Sequence, residues 1–238
     1  MTAGFLCGRS KKTGAPFDYF RNRIMFPIID VSGNVIAFGG RVMDDSLPKY
    51  LNSSDTPVFK KSRNLFALNF ARSACAEEMI LCEGYMDVIA MHAAGFTNAV
   101  ATLGTALTPE QARIMARYTK RVVISYDSDA PGQKAANRAI GILGEVGLDV
   151  RVLRIEGAKD PDEFIKKYGA DKFRQQLSGS FGKFDFNMDG ILARHNIALP
   201  DEKIKACTEL ANLIAGIYSS AEREVYIAAA AKKLDIPA

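Results

Sequence analysis

Acidic side chains recur in this 238-residue chain after short apolar segments. The residues that share this position are Glu83, Asp127, Asp129, Asp160 and Asp162. Asp87 lies four residues beyond Glu83, a spacing that places two side chains on one face of a helix. Asp127 and Asp129 are two residues apart and point to the same side if the extended backbone continues past the strand. This pattern predicts a cluster of carboxylates.

Clustered carboxylates repel one another unless cations neutralise them. Carboxylate oxygens are the ligands that Mg²⁺ and Mn²⁺ prefer, and the sequence offers no His or Cys pattern for a softer metal. Two such ions can stabilise both oxygens of an in-line phosphoryl displacement. We therefore expect a phosphoryl-transfer site with two or more Mg²⁺ or Mn²⁺ ions. For each acidic residue alone, a helix N-cap or an exposed loop charge is the alternative interpretation.

The segments that must position these carboxylates alternate between strand and helix patterns. Short apolar runs of the strand type lie at 79–82, 98–103, 121–126 and 150–155. Helical patterns separate them, which predicts a mainly parallel sheet flanked by helices. The carboxyl ends of such strands lie at one edge of the sheet, where ligands bind. The acidic residues are therefore expected to meet at that edge.

The flanking segments have different patterns. Residues 24–29 and 35–38 predict two strands joined by a tight turn at 32–34. Beyond about residue 170 only helical patterns occur, which predicts a small helical bundle. The predicted fold class is α/β (α+β overall), with a β-rich basic N-terminal subdomain at 1–72, a parallel-sheet domain at 73–168 and a helical bundle at 169–238.

The net charge of +4 is unevenly distributed. Residues 1–70 carry 10 Lys and Arg against 5 Asp and Glu, whereas residues 71–165 carry 10 against 13. A basic segment beside an acidic one suits a protein that binds a polyanion with one part and metal ions with the other. The alternative is an ordinary solvated surface.

Composition excludes several classes of protein. Hydrophobic residues make up 48% and charged residues 24% of the chain, as in ordinary globular proteins. No apolar run approaches the roughly 18 residues of a spanning helix, so we expect no membrane partner. The four cysteines are widely spaced and form no CxxC pair, which predicts no zinc and no disulfide framework. This cysteine usage indicates a reducing, cytoplasmic compartment.

Three motifs identify a family. They are EGYMD at 83–87, YDSDAPG at 126–132 and KDPDEF at 159–164. In this order they resemble the TOPRIM domain of bacterial DnaG-type DNA primases, although Ser128 stands where Gly is common in that family. Further blocks at 20–28, 38–41, 48–53 and 99–108 resemble segments of the same primases. The resemblance covers roughly residues 15–170.

The resemblance implies the RNA polymerase core of a primase, which makes short RNA primers by two-metal nucleotidyl transfer. It assigns the catalytic role to Glu83, Asp127 and Asp129. It assigns metal binding to Glu83, Asp87, Asp127, Asp129, Asp160 and Asp162. It assigns nucleotide and template binding to Arg21, Arg23, Arg41, Lys49, Asn52, Lys60, Lys61 and Arg63.

The same resemblance implies the partners: a single-stranded DNA template, ribonucleoside triphosphates, the RNA primer and a replicative helicase. Full-length relatives carry a zinc-binding domain and a helicase-binding domain. We expect this chain to lack both, to be a monomeric core fragment and to meet the helicase through a region absent here. The implied location is the bacterial cytoplasm, at the nucleoid.

Two other functions stay open. One is another TOPRIM enzyme of the nuclease or topoisomerase type. The other is a non-catalytic fragment that only binds nucleic acid, which would show steep salt dependence without needing a divalent metal. Primer synthesis would need both the basic and the acidic residues.

Overall fold

The computed structural model describes residues 6–127, 129–155, 157–179 and 181–237, without the side chains of 181 and 183. The chain divides into two compact units, Met1–Ser180 and Phe181–Ala238. Within the described ranges, none of the helices combines the length and the apolar character needed to cross a bilayer.

The first unit begins with antiparallel strands. They are β1 (Cys7–Arg9), β2 (Pro16–Asp18), β3 (Arg23–Ile29), β4 (Val35–Val42) and β5 (Tyr50–Asn52). The strands β1 and β2 form a hairpin, and β3, β4 and β5 form a three-stranded sheet in that order. The predicted hairpin at 24–38 is confirmed, because Ile28 pairs with Ala37 across the turn. Arg41 pairs with Ile24 on one side and with Tyr50 on the other.

A parallel sheet follows, as the sequence predicts. Its strands are β6 (Met79–Cys82), β7 (Ala99–Ala101), β8 (Arg121–Ser125) and β9 (Asp149–Val152), in the spatial order β9-β8-β6-β7. The chain passes from β6 to β7 on one side and then crosses to β8 on the other. The sheet therefore has its topological switch point at the carboxyl end of β6, which is where open α/β sheets bind ligands.

Helices cover this sheet. They are α1 (Leu68–Ala71), α2 (Tyr85–Ala93), α3 (Pro109–Met115), α4 (Ala130–Glu145), α5 (Pro161–Tyr168) and α6 (Ala170–Ser178). The helix α3 begins with a capping box: the Thr108 hydroxyl accepts from the Gln111 backbone N–H at 3.2 Å, and the Gln111 side-chain oxygen accepts from the Thr108 N–H at 3.0 Å. The helix α4 begins at Ala130, with Asp129 as its N-cap.

One hydrophobic core joins the two sheets of the first unit. Phe26 and Ile28 of the antiparallel sheet belong to the same buried cluster as Ile80 and Cys82 of the parallel sheet. Phe173 of α6 is fully buried in that cluster. The apolar contact fixes the basic segment against the acidic one, because interiors pack at crystal-like density and tolerate little relative movement.

The second unit contains the short strand β10 (Phe181–Gly182) and the helices α7 (Lys183–Leu192), α8 (Pro200–Ala215) and α9 (Ser220–Leu234). Its core includes Met188, Leu210 and Leu234. The ring of Phe184 stacks on Tyr226 with centroids 3.8 Å apart. The helical C-terminal region predicted from the sequence is confirmed.

Candidate active site

A cavity of about 520 Å³ lies in the first unit, where the carboxyl edge of the parallel sheet meets the strands β4 and β5. One side of it, the acidic wall, consists of Glu83, Asp87, Asp127, Asp160 and Asp162. The opposite side, the basic wall, consists of Arg41 and Lys49. The structure thus brings together most of the predicted acidic residues and two of the predicted basic ones.

Glu83 and Asp127 flank the switch point of the sheet. Glu83 follows β6, Asp127 follows β8, and the Asp127 backbone N–H donates to Glu83 Oε2 at 3.4 Å. Burial, followed by the negative charges of Glu83, Asp160 and Asp129, raises the pKa of Asp127 from its ordinary 3.8 to about 6. A cation between these carboxylates would remove the repulsion and restore the ionised form.

Asp87 is the third residue of α2 and lies deeper in the acidic wall. Its carboxylate accepts a hydrogen bond from the Gly84 backbone N–H at 3.1 Å. Burial is the main reason that its pKa rises to about 7, and the charges of Asp127, Asp160 and Glu83 act in the same direction. The four-residue spacing of Glu83 and Asp87 suggested that the two side chains share a helix face. Glu83 lies before α2, so both side chains reach the cavity but they do not share a helix face.

Asp129 departs from its predicted orientation. The strand β8 ends at Ser125, and Asp129 Oδ1 accepts from the Gly132 N–H at 2.8 Å as the N-cap of α4. It does not line the cavity, although its charge reaches Asp127. The Asp129 backbone is extended, with φ of −74° and ψ of 171°, and the hydrogen bond from Gly132 holds the carboxylate at the start of α4. Ser128 lies outside the described residues.

Gly132 explains how closely α4 approaches the site. A Cβ atom at this position would lie 2.1 Å from the Asp127 carbonyl oxygen and 3.1 Å from Asp129 Oδ1. Only glycine lets the helix start so close to the acidic loop. Gly132 was not among the predicted site residues.

Asp160 and Asp162 enter the cavity from the start of α5. Asp160 Oδ1 accepts from the Glu163 N–H at 2.8 Å, so this carboxylate is both a helix cap and part of the acidic wall. Asp162 pairs with Lys166 at 2.6 Å, and Lys159 lies 3.8 Å from Asp160. Both lysines line the cavity and were missed by the sequence analysis. The four-residue spacing of Asp162 and Lys166 was the available signal.

In the basic wall, Arg41 lies on β4 and Lys49 directly precedes β5, the strand that pairs with β4. The Arg41 guanidinium carbon lies 5.9 Å from the centre of the Tyr50 ring, which also lines the cavity. The Arg41 Nε atom is buried and has no hydrogen-bond partner among the residues that the structure describes. An unpaired buried donor is costly, so this N–H is suited to donate a hydrogen bond to a ligand oxygen. Lys49 is exposed at the rim.

The other predicted basic residues lie outside the cavity lining. Arg23 donates to the backbone carbonyls of Pro48 at 2.9 Å and Gly40 at 3.2 Å, which occupies its guanidinium group. The Arg21 guanidinium lies over the Phe17 ring at 5.8 Å. The remaining three residues lie at a 3-10 turn (Lys61–Arg63). Lys60 precedes the turn, and Lys61 and Arg63 are its first and last residues.

Asn52 lines the cavity, yet its amide is already engaged. It donates to the Leu103 carbonyl oxygen at 2.9 Å and accepts from the Tyr85 hydroxyl at 2.8 Å. Tyr85 was not among the predicted site residues, although it stands between Glu83 and Asp87 in the first motif.

The donor set fits a hard divalent cation. The acidic wall offers only oxygen ligands. Among the described residues, no three Asp, Glu, His or Cys side chains are close enough to enclose an ion on their own. When Mg²⁺ is bound in proteins, one or two carboxylates usually hold it together with substrate phosphates and water.

Family profiles match three consecutive parts of the chain. The profile of the DNA primase catalytic core, N-terminal domain, matches residues 1–72, and the Toprim-like profile matches residues 80–165. A profile described as the DnaB-helicase binding domain of primase matches residues 184–238. The expectation that the helicase-binding region is absent from this chain is therefore wrong.

Whole-chain comparisons agree with these profiles. A DNA primase of Clostridium acetobutylicum is 42% identical over 95% of this chain and 38% of its own length. A DNA primase domain from Pseudomonas aeruginosa has a solved structure that is 34% identical, with a TM-score of 0.80, and the match covers 100% of this chain and 76% of that one. The chain belongs to the DnaG-type DNA primase family.

Another solved member of this family, a DnaG primase catalytic domain bound to single-stranded DNA, is 31% identical with a TM-score of 0.80 over 99% of this chain and 75% of that one. The present chain spans about two fifths of the length of the curated primases that it matches, as with 39% of the Halalkalibacterium halodurans protein. The predicted fold class is confirmed by these structures.

Proposed function

We propose that this chain is the catalytic core of a primase that synthesises short RNA primers on single-stranded DNA from ribonucleoside triphosphates. The observation that carries the proposal is the meeting of an acidic and a basic wall in one cavity at the switch point of a TOPRIM sheet. A triphosphate in this cavity would have metal-binding carboxylates on one side and phosphate-binding cations on the other.

Mg²⁺ or Mn²⁺, when bound, would supply the charge that activates a 3′-hydroxyl and stabilises the leaving pyrophosphate. Glu83 and Asp127 are the residues that would hold it at the switch point, with Asp87, Asp160 and Asp162 around them. Asp129 would contribute through its charge while it caps α4. These roles follow the family resemblance and the positions of the carboxylates in the cavity.

The basic residues would bind the polyanionic substrates without reading sequence. Arg41 and Lys49 would contact phosphates from the basic wall, and Lys159 and Lys166 would do so from the rim of the acidic wall. Arg21, Lys60, Lys61 and Arg63 lie outside the cavity and would contact the template strand. The guanidinium group of Arg23 is bonded to backbone carbonyls, so we assign it a structural role.

Two of the comparisons support the partners that we propose. One relative of this chain was solved with single-stranded DNA, and the matching profile at 184–238 is named for binding the DnaB helicase. We propose the same two partners here, with the helicase contacting the second unit. A cytoplasmic, nucleoid-associated location and a monomeric state belong to the same proposal.

The test is extension of an RNA primer annealed to a DNA template, which removes any need for initiation. Incorporation should require Mg²⁺ or Mn²⁺ and should fall about a hundredfold or more in Asp127→Asn and in Glu83→Gln, since metal-bound charge supplies several kcal/mol. Asp171→Asn removes an exposed carboxylate on α6 and is the matched control, expected to leave incorporation unchanged.

Two outcomes would contradict the proposal. Salt-sensitive DNA binding without any metal-dependent incorporation would favour the non-catalytic binding fragment. Metal-dependent cleavage of the template would favour a nuclease of the TOPRIM type.

A further inference from the structure

We propose that Asn52 and Tyr85 are positioning residues that set the spacing between the basic and the acidic wall. The inference deepens the proposed function and rests on it, because the spacing matters for a substrate that touches both walls. Asn52 ends β5, the strand that follows Lys49, and Tyr85 begins α2 directly after Glu83 and Gly84. A link between these two residues therefore joins the two walls.

The link is made of two hydrogen bonds through one amide. The Tyr85 hydroxyl donates to Asn52 Oδ1 at 2.8 Å, and Asn52 Nδ2 donates to the Leu103 carbonyl oxygen at 2.9 Å. Leu103 follows β7, so the amide connects β5 both to the start of α2 and to a second strand end of the parallel sheet. These contacts join positions 33 and 51 residues apart in the chain.

Two glycines approach the linked side chains closely. A Cβ on Gly39 would lie 2.5 Å from Tyr85 Cε2, and a Cβ on Gly104 would lie 2.5 Å from Asn52 Nδ2. The Tyr85 ring is 4% exposed and packs on Phe66 at a centroid distance of 4.5 Å. The hydroxyl therefore has a fixed direction, and its buried polar group needs the Asn52 partner.

The same contacts argue against a direct catalytic role for this pair. The Asn52 amide already uses both its oxygen and its nitrogen within the protein, and the Tyr85 hydroxyl donates its hydrogen to that oxygen. What the pair controls is the distance between phosphate-binding and metal-binding groups. A misplacement of about 1 Å at a reacting centre costs on the order of a hundredfold in rate.

The decisive variant is Tyr85→Phe, which removes the hydroxyl and keeps the packed ring. We expect the affinity for Mn²⁺ alone, measured by electron paramagnetic resonance, to change less than about twofold, since the carboxylates stay in place. ATP should tighten Mn²⁺ binding in the unaltered chain. The factor by which ATP tightens it, here called the coupling, should be about five- to tenfold smaller in the variant, because the variant lacks one buried hydrogen bond. In primer extension, kcat should fall more than KM rises.

A glycine pair supplies the matched control. Gly104→Ala should reproduce the loss of coupling, because its Cβ displaces Asn52. Gly95→Ala places alanine at a similarly positive φ of 92°, against 71° at Gly104, but with no atom within 4 Å of the new Cβ. It should cost comparable backbone strain and leave the coupling intact. These two glycine variants leave Tyr85 unchanged, so they still test the proposal if Tyr85→Phe lowers thermal stability.

Each outcome bears on one of the two proposals. Coupling that is present in the unaltered chain and lost in Tyr85→Phe supports positioning even if no primer is extended, in which case only the proposed function fails. Unchanged coupling, kcat and KM in Tyr85→Phe would overturn the positioning role while primer synthesis stands. Absence of any Mn²⁺–ATP coupling in the unaltered chain would also overturn it, because no ligand would then span both walls.

Discussion

The acidic wall comes from segments that follow the strands of a parallel sheet, whereas the basic wall comes from β4 and from the residue before β5 in an antiparallel sheet. In the parallel sheet, every strand ends at the same edge, so a carboxylate placed after a strand reaches the site by topology. In the antiparallel sheet, side chains alternate between faces, so register decides which cation reaches it. Arg41 lines the cavity, while Arg23 on the paired strand bonds to backbone carbonyls.

The difference extends to how each wall is held. The carboxylates of the acidic wall are fixed by backbone N–H groups at helix starts, as with Asp160 at α5 and Asp87 at α2. The cations of the basic wall have fewer contacts, and Lys49 is exposed. We therefore expect the acidic wall to respond to substitution through stability, and the basic wall mainly through ligand affinity.

The largest expected effect breaks the acidic wall at Gly132. Gly132→Ala should lower the free energy of unfolding by about 3 kcal/mol, since the new Cβ meets the Asp127 carbonyl at 2.1 Å and the start of α4 must move. Gly141→Ala on the exposed side of the same helix meets no atom and should stabilise by about 0.5–1 kcal/mol. Urea denaturation measures both; equal effects would show that close packing at Gly132 is unimportant.

The basic wall is tested by comparing Lys49→Gln with Arg23→Gln. Lys49→Gln should weaken ATP binding about tenfold, the loss of one charge-assisted contact, without changing stability. Arg23→Gln should cost about 1–3 kcal/mol of stability because it frees the carbonyls of Pro48 and Gly40. Calorimetric titration and denaturation separate the two effects. Lys12→Gln, exposed on the first hairpin, is the control.

The pH dependence of the metal-free protein sharpens the comparison further. The pKa values of Asp127 and Asp87 rise to about 6 and about 7 from an ordinary 3.8, so the folded state binds these protons more tightly than the unfolded state. Their contribution to stability is favourable at low pH and is lost as pH rises from about 4 to about 7. Thermal unfolding in a chelator should therefore show a flatter pH dependence in Asp127→Asn, and Mg²⁺ should stabilise the unaltered chain more at pH 8 than at pH 5.5.

The smallest effect concerns the second unit, where the His195 ring contacts two carboxylates. His195 contacts Glu202 at 2.9 Å and Glu209 at 3.0 Å, and these bonds raise its pKa above 6.5. Arg194 and Lys205 pair with the same carboxylates. The stabilisation is complete below pH 6.5 and is lost as pH rises through the raised pKa. His195→Gln should remove this small slope in thermal unfolding, and an unchanged slope would show that the contact is screened.

Several details of the site depended on where helices begin. The two-residue spacing of Asp127 and Asp129 suggested a shared direction, but α4 starts at Ala130 and turns Asp129 into its cap. The interpretation of single acidic residues as helix caps is correct for Asp129 and Asp160, and Asp160 also lines the cavity. Capping and metal binding use the same carboxylate chemistry, so local sequence could not separate them.

The sequence by itself determined the parallel sheet, the strand ends that carry carboxylates and the family, because hydrophobic periodicity and motif order are local properties of the chain. Only the tertiary structure decided that Arg41 and Lys49 face those carboxylates and that Arg23 does not. It also decided that Asn52 bonds to Tyr85 and Leu103, residues distant in sequence. Such contacts depend on strand register and on the shared core of two sheets, which no local pattern specifies.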